Sequence, residues 1–86
     1  VLYRALQAGG ARVKGGEGDA GVVRSAMAAV VAQEPLARLD YAEVADPETL
    51  DPLDRIAAGT PARLLVAARI GPARLIDNLG VTCAAA

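Results

Sequence analysis

The sequence predicts an α+β domain: a helical hairpin packed on a small, about three-stranded antiparallel sheet, with a short intervening helix. Three observations lead to this fold class. The first 33 residues repeat apolar side chains at helical spacing, and the remainder contains short runs rich in β-formers. Gly71-Pro72 joins the last two runs too closely for a parallel connection. With 86 residues, the chain suffices for one domain with a modest core.

The first predicted helix covers residues 1–14. Leu6 and Val13 share one helical face, and ending the helix at Gly9 would leave Val13 without a role. Gly9 and Gly10 each cost up to ~1 kcal/mol relative to Ala in a helix. We expect close packing against a neighbouring helix to explain these small residues.

The second predicted helix covers residues 19–33. Asp19 is a favourable N-cap, because its carboxylate can accept from the free amides of the first turn. Pro35 ends the helix, since a residue before proline avoids the helical region. The apolar face between these limits comprises Val22, Val23, Ala26, Met27, Val30 and Val31. Together with the first helix, this segment forms the hairpin.

Three strands are predicted at about residues 39–45, 62–70 and 73–81. The first alternates imperfectly, and the second is a continuous apolar run that suits a covered strand. Between them, Asp46 can cap a short helical turn that begins at Pro47.

The stretch "GEGDAG", residues 16–21, matches the G-x-G-x-x-G pattern of dinucleotide-binding loops, and Asp40 and Glu43 follow about 20 residues later. The pattern requires a strand before it and a helix whose free amides face phosphate. Here the preceding segment is helical, and Glu17 and Asp19 place carboxylates where the anion would bind. We therefore interpret the segment as an interhelical turn.

The composition excludes several functional classes. The net charge of −1 gives no reason to expect a nucleic-acid or membrane partner. Without histidine there is no Ser-His or Cys-His nucleophile pair, and the only serine, Ser25, lies in a helical pattern. A single cysteine, Cys83, excludes an internal disulfide. No run approaches the ~18 apolar residues of a membrane span, and no signal peptide is evident, so we expect a soluble, cytoplasmic protein.

Six acidic residues cluster in one short stretch, and two readings are open. The first is a solvated face with turn and helix caps. The alternative is a divalent-cation site, although EF-hand spacing is missing. The residues are Asp40, Glu43, Asp46, Glu48, Asp51 and Asp54.

Both ends of the sequence carry expectations. The chain begins at Val1 in helical sequence without an initiator Met, which suggests a fragment or processed product. Residues 83–86, "CAAA", formally match a prenylation box, but no polybasic stretch precedes them. We expect a cloning-derived tail there and a domain that ends at residue 82.

From residue 39 onward the sequence resembles a known family. "DYAEVADPETL" at residues 40–50 and "LLVAARIGPARLIDN" at residues 64–78 are similar to the C-terminal part of bacterial pantothenate synthetases, also called pantoate–β-alanine ligases. The second block is long and specific. The resemblance covers residues 1 to about 82.

The resemblance implies a two-domain enzyme of the nucleotidylyl-transferase superfamily. A larger, Rossmann-like N-terminal domain carries an H-x-G-H signature, and a smaller C-terminal domain acts as a lid. ATP and pantoate form a pantoyl adenylate with the help of magnesium, and β-alanine attacks it to give pantothenate and AMP.

Few of the family's functional residues have counterparts here. The histidine signature and the serine-rich S-S-R-N-like phosphate loop are absent, so we predict no catalytic, cofactor-binding or metal residue in this chain. ATP and magnesium would bind in the parent enzyme. The implied partner is the N-terminal catalytic domain of the same enzyme, and the chain alone is expected to be a monomer or weak dimer.

Three arginines, Arg63, Arg69 and Arg74, flank the last two predicted strands. If the domain is a lid, they could face the phosphates on closure; the alternative is ion pairing with nearby acids. Asp77 and Asn78 are expected to satisfy local backbone groups.

Two functions from different classes remain open. The first is the lid domain of pantothenate synthetase, inactive alone. The alternative is a small non-enzymatic protein-interaction or scaffold domain. An autonomous enzyme ranks third because the chain has no histidine-based site.

Overall fold

The computed structural model describes residues 1–85 and confirms the α+β fold. Two helices precede three strands, which form one sheet in the order β1-β2-β3 with both neighbouring pairs antiparallel. All five elements begin and end within two residues of the predicted bounds. They are α1 (Leu2–Lys14), α2 (Ala20–Ala32), β1 (Ala37–Ala45), β2 (Pro61–Ile70) and β3 (Ala73–Thr82).

The helix α1 runs without interruption through Gly9 and Gly10, as predicted. A Cβ at Gly9 would lie 2.7 Å from Met27 Cγ of α2 and 3.2 Å from Leu64 Cδ1 of β2. A Cβ at Gly10 would be 3.2 Å from Leu79 Cδ2. The expected close approach of a neighbouring helix is therefore confirmed, and the two glycines allow α1 to lie tightly against both α2 and the sheet.

The two faces of the sheet differ in what covers them. Alternate residues of a strand point to opposite faces. Ala62, Leu64, Val66 and Ala68 of β2 join the buried core with residues of both helices, and we call this the inner face. The outer face carries Arg63 and the other odd-numbered residues of β2, and neither helix covers it. We call the two ends of the sheet the hairpin end, at the Gly71-Pro72 turn, and the loop end, at residues 46–60.

The core is aliphatic, as the composition requires. Its largest fully buried side chains include Leu6, Met27 and Leu64, and no polar or charged residue is buried in the described part of the chain. Because these side chains are small, many must interlock to hold the domain together. Truncating Leu64 to Ala would cost about 2–5 kcal/mol of a total stability near 5–15 kcal/mol.

The short helix predicted after Asp46 is wrong, since residues 46–60 contain turns and no helix. Asp46 does accept from local amides, with Glu48 N at 2.8 Å and Thr49 N at 3.0 Å from its Oδ1. Leu50 then adopts φ 63°, a left-handed conformation that ends any helical path. The chain instead folds back on β1, where the Leu53 amide donates to the Val44 carbonyl at 2.8 Å.

The packing continues one residue past the domain end predicted from the sequence. The Cys83 side chain is 2% exposed and belongs to the core. Its amide donates to the Thr60 carbonyl at 2.9 Å, and its carbonyl accepts from Gly59 N at 2.9 Å. These bonds anchor the start of the predicted tail at residues 83–86 to the loop end. Ala86 lies outside the described residues, and the origin of the tail stays a prediction.

Candidate functional site

The outer face carries a charged cluster at the hairpin end. Arg69 of β2 and Arg74 of β3 are register partners, an unfavourable arrangement for like charges. Asp40 of β1 lies between them: Arg74 Nε donates to Asp40 Oδ2 at 2.7 Å, and Arg69 Nε is 3.7 Å from Asp40 Oδ1. Asp40 is the extra residue of a β-bulge between Leu39 and Tyr41. Because a bulge redirects a side chain, Asp40 reaches both arginines.

The arginines change the titration of Asp40. The hydrogen bond from Arg74 is the main cause that lowers the pKa of the Asp40 carboxyl. Desolvation opposes it, and the charges of Arg69 and Arg74 lower the pKa further. The same hydrogen bond raises the pKa of Arg74. Asp40 is therefore an anion at neutral pH and holds both guanidinium groups in place. Since both arginine side chains are solvent-exposed and that of Asp40 is partly exposed, we expect little net stabilisation from the cluster.

Arg63 has a different environment, since no carboxylate of residues 1–85 lies within ion-pair distance of it. Its guanidinium rests on the backbone of Gly80, where an added Cβ would be 3.3 Å from Cζ. Arg63 Nη1 donates to Asn78 Oδ1 at 3.2 Å. Two β3 residues thus position an arginine that carries an unneutralised charge. Asp77 Oδ1 accepts from Asn78 N at 2.8 Å, the local backbone bond that the sequence predicted.

The glycine-rich loop is an interhelical turn, as predicted. Asp19 caps α2 by accepting from Gly21 N at 2.8 Å. The neighbouring amides are also bonded: Ala20 N donates to the Asp54 carbonyl at 3.1 Å, and Val22 N to the Asp19 carbonyl at 3.1 Å. The N–H groups that a pyrophosphate would need already have acceptors within the chain, which removes the physical basis of the dinucleotide reading.

The clustered acids serve separate local purposes. Asp40 binds the arginines, and Glu43 Oε1 accepts from Arg24 Nη1 of α2 at 2.8 Å. Asp46 caps its own turn, and the amide of Thr49 is the main cause of its lowered pKa. Across residues 1–85, no group of three or more His, Cys, Asp or Glu side chains is placed to hold a metal ion. The favoured reading of caps and solvated pairs agrees with this arrangement.

The sequence singled out three arginines but did not indicate how they group on the sheet. Arg69 and Arg74 form the ion pairs that one of its two alternatives described, whereas Arg63 binds an amide and not an acid. The central position of Asp40 was not predicted. A β-bulge shifts the alternation of apolar and polar residues by one position, and in β1 that alternation is already imperfect. The contact between the Arg63 guanidinium and the Gly80 backbone could not be predicted from the sequence, because it depends on how β2 and β3 are aligned.

A comparison with protein families identifies a match along nearly the whole chain. The model described as Pantoate-beta-alanine ligase matches residues 1–80. The chain belongs to the pantoate-beta-alanine ligase family. The resemblance predicted from the two sequence blocks is thereby confirmed.

Curated members of the ligase family are closely similar to this chain. It is 53% identical over 78 residues to pantothenate synthetase of Chloroflexus aurantiacus, covering 91% of this chain and 27% of that protein. Pantothenate synthetase of Rubrobacter xylanophilus is 49% identical over 78 residues, again covering 91% of this chain but 26% of the relative. The chain therefore spans about a quarter of the length of the ligases that it matches.

A solved structure of the ligase family shares the fold. The crystal structure of pantothenate synthetase from Thermus thermophilus superposes with a TM-score of 0.81 at 42% identity, covering 94% of this chain and 28% of that one. The arrangement of two helices and three strands is therefore found within a longer ligase. Neither helix of the described residues is long and apolar enough to cross a membrane.

Proposed function

We propose that this chain is the C-terminal domain of a pantothenate synthetase. The observation that carries the proposal is the extent of the similarity: 53% identity over 91% of this chain, but only 27% of the relative. A match of this kind is expected for one domain of a larger enzyme. A cytoplasmic location and a bacterial origin belong to the same proposal.

The proposed reaction of the complete enzyme is the ATP-dependent joining of pantoate and β-alanine. The pantoate carboxylate attacks the α-phosphorus of ATP and pyrophosphate leaves, which gives pantoyl adenylate. The β-alanine amine then attacks the acyl carbon, loses a proton and releases AMP, and the product is pantothenate. Magnesium is the proposed metal ion.

Two features of the described residues support placing the ATP–magnesium site outside this chain. The first amides of α2 are bonded internally, and no group of metal-ligating side chains is assembled in the described part of the chain. The chemical steps are therefore assigned to the part of the ligase outside this chain, and the chain alone is proposed to be inactive. Its partner is the N-terminal catalytic domain of the same enzyme.

The proposed role of this domain is that of a lid over the catalytic cleft. An acyl adenylate is a reactive anhydride that water hydrolyses, so closing a domain over it preserves it until the amine arrives. A lid has to move as a unit. The continuous α1, packed through Gly9 against α2 and β2, supports such rigid-body behaviour.

The proposal is tested by comparing the full-length enzyme, the enzyme truncated before this domain, and the 86-residue chain. The full-length enzyme should form pantothenate, and the chain alone should form none and bind ATP no tighter than millimolar by calorimetry. The truncated enzyme should release more AMP per pantothenate, because its adenylate is exposed to water. Adding the separate chain to the truncated enzyme should restore part of the activity.

Three outcomes would argue against the proposal. Micromolar ATP binding by the isolated chain would contradict its assignment as a domain without a nucleotide site. An unchanged ratio of AMP to pantothenate in the truncated enzyme would contradict the lid role. Failure of the chain to bind or restore the truncated enzyme would instead favour an interaction or scaffold domain for another partner.

A further inference from the structure

Three leucines at the hairpin end are exposed although two of them lie on the same face as the core. Leu39 and Leu75 are the register partners of Ala68, whose side chain is fully buried on the inner face. Even so, Leu39 is 40% exposed and Leu75 is 44% exposed. Leu36, which directly precedes β1, is 71% exposed. We call Leu36, Leu39 and Leu75 the leucine ledge.

The positions of the two helices explain why the ledge is uncovered. Gly10 lies against the side chains of Leu79 and Val81, and the Val13 carbonyl accepts from Ala84 N at 3.3 Å, so α1 and β3 run in the same direction. Nine residues of helix and four residues of strand each span about 13 Å. Going back from Gly10, α1 therefore begins about level with Leu75.

The helix α2 packs on β1 and reaches Glu43 through Arg24, and the eight residues from there to its end span about 12 Å, so α2 ends about level with Leu39. The inner face beyond these two levels has no helix above it.

We propose that the leucine ledge is the surface on which the catalytic domain of the same ligase packs. The inference rests on the proposed function, which places the catalytic domain before this chain. The chain spans 27% of the length of its relative, so most of the ligase lies outside it. Under that proposal the catalytic domain precedes α1, whose first turn lies about level with Leu75, beside the ledge.

The chemistry of the ledge fits an apolar protein surface. An exposed leucine leaves apolar area in contact with water, and packing against a neighbouring domain would remove that area from water. The charged cluster of Asp40, Arg69 and Arg74 lies on the outer face of the same end, so packing on the ledge leaves that cluster free.

The test measures leucine methyl accessibility in the full-length enzyme by NMR with a soluble paramagnetic probe. Leu50 is the exposed control, because it is 55% exposed and lies at the opposite, loop end of the sheet. Leu64 is the buried control at 0% exposure. The ledge methyl groups should be shielded like those of Leu64, with at least a threefold smaller relaxation effect than those of Leu50.

A matched pair of variants provides the second readout. Leu75→Glu in the full-length enzyme should lower the rate of pantothenate formation at least tenfold, whereas Leu50→Glu should stay within twofold of the unmodified enzyme. Ledge methyl groups as accessible as those of Leu50 would overturn the inference. Shielding that disappears on dilution would also overturn it, since a second copy would then cover the ledge. A full-length enzyme that forms no pantothenate would refute the proposed function, while the methyl measurement would still decide the ledge.

Discussion

Gly9 of α1 lies so close to Met27 of α2 that a Cβ at position 9 would be 2.7 Å from Met27 Cγ. Met27 is fully buried and cannot move into solvent. The spacing of these two residues therefore fixes how closely the helices pack. It also explains why a helix tolerates a residue that costs up to ~1 kcal/mol relative to Ala.

Gly9→Ala is expected to destabilise the domain by about 1–2 kcal/mol, because overpacking of the core outweighs the gain in helix propensity. Gly10→Ala is the matched control. A Cβ there would meet only side-chain ends, Leu79 Cδ2 at 3.2 Å and Val81 Cγ1 at 3.3 Å. These need to shift by only a few tenths of an ångström, so the propensity gain should offset most of the contact. Urea denaturation of both variants measures the difference. Equal stabilities would show that Met27 can relax without cost.

Asp19→Ala should lower the free energy of unfolding by about 1 kcal/mol, because Gly21 N loses its capping acceptor. Glu17→Ala is the control, since Glu17 Oε2 accepts only an exposed bond from Asp19 N at 3.2 Å. Thermal unfolding should show a clearly larger decrease for Asp19→Ala. A gain of ATP affinity in this variant would revive the nucleotide-loop reading.

The helices were predictable from the sequence because their signals are local. Helical periodicity and the cap at Asp19 depend on residues within one or two turns of each other. The turn after Asp46 was only half predictable: the capping chemistry is local, but the reversal at Leu50 depends on the chain folding back onto β1. The predicted short helix failed for that reason.

The functional surfaces were less predictable because they depend on how the strands align. The sequence singled out Arg69 and Arg74, but their meeting at Asp40 requires a bulge and a specific register. The leucine ledge has no sequence signal, since Leu39 and Leu75 belong to ordinary strand patterns. Their exposure follows from where α1 begins and where α2 ends along the sheet.

The domain should lose stability in acid as two carboxylates titrate. Folding lowers the pKa of Asp40 through Arg74 and that of Asp46 through the turn amides of Thr49 and Glu48. A carboxyl group with a lowered folded-state pKa stabilises the fold above its unfolded value, near 3.8, and this contribution disappears as pH falls through the folded-state value. The denaturant concentration at the unfolding midpoint should therefore decrease as the pH falls below about 4.

The variants Asp40→Asn and Asp46→Asn should each weaken this acid dependence. Asp51→Asn is the control, because the Asp51 carboxylate accepts no side-chain hydrogen bond or ion pair in the described chain. Denaturation at a series of pH values between 2 and 6, roughly the range where carboxyl groups titrate, provides the measurement. Identical pH profiles for all three variants would contradict the assignment.

Cys83 should behave as a core residue and react slowly with thiol reagents in the folded protein. Its side chain is 2% exposed, and its backbone is bonded on both sides to the Gly59–Thr60 segment. Modification should therefore require local opening at the loop end and should accelerate sharply under unfolding conditions. Cys83→Ser should cost about 1–3 kcal/mol, because a polar hydroxyl replaces a thiol whose only hydrogen-bond acceptor in the described chain, the Glu17 carbonyl, lies 3.9 Å from Sγ, too far for a good O–H···O bond. Thiol labelling followed by mass spectrometry provides the measurement, and native labelling as fast as that of the unfolded chain would place Cys83 in a mobile tail.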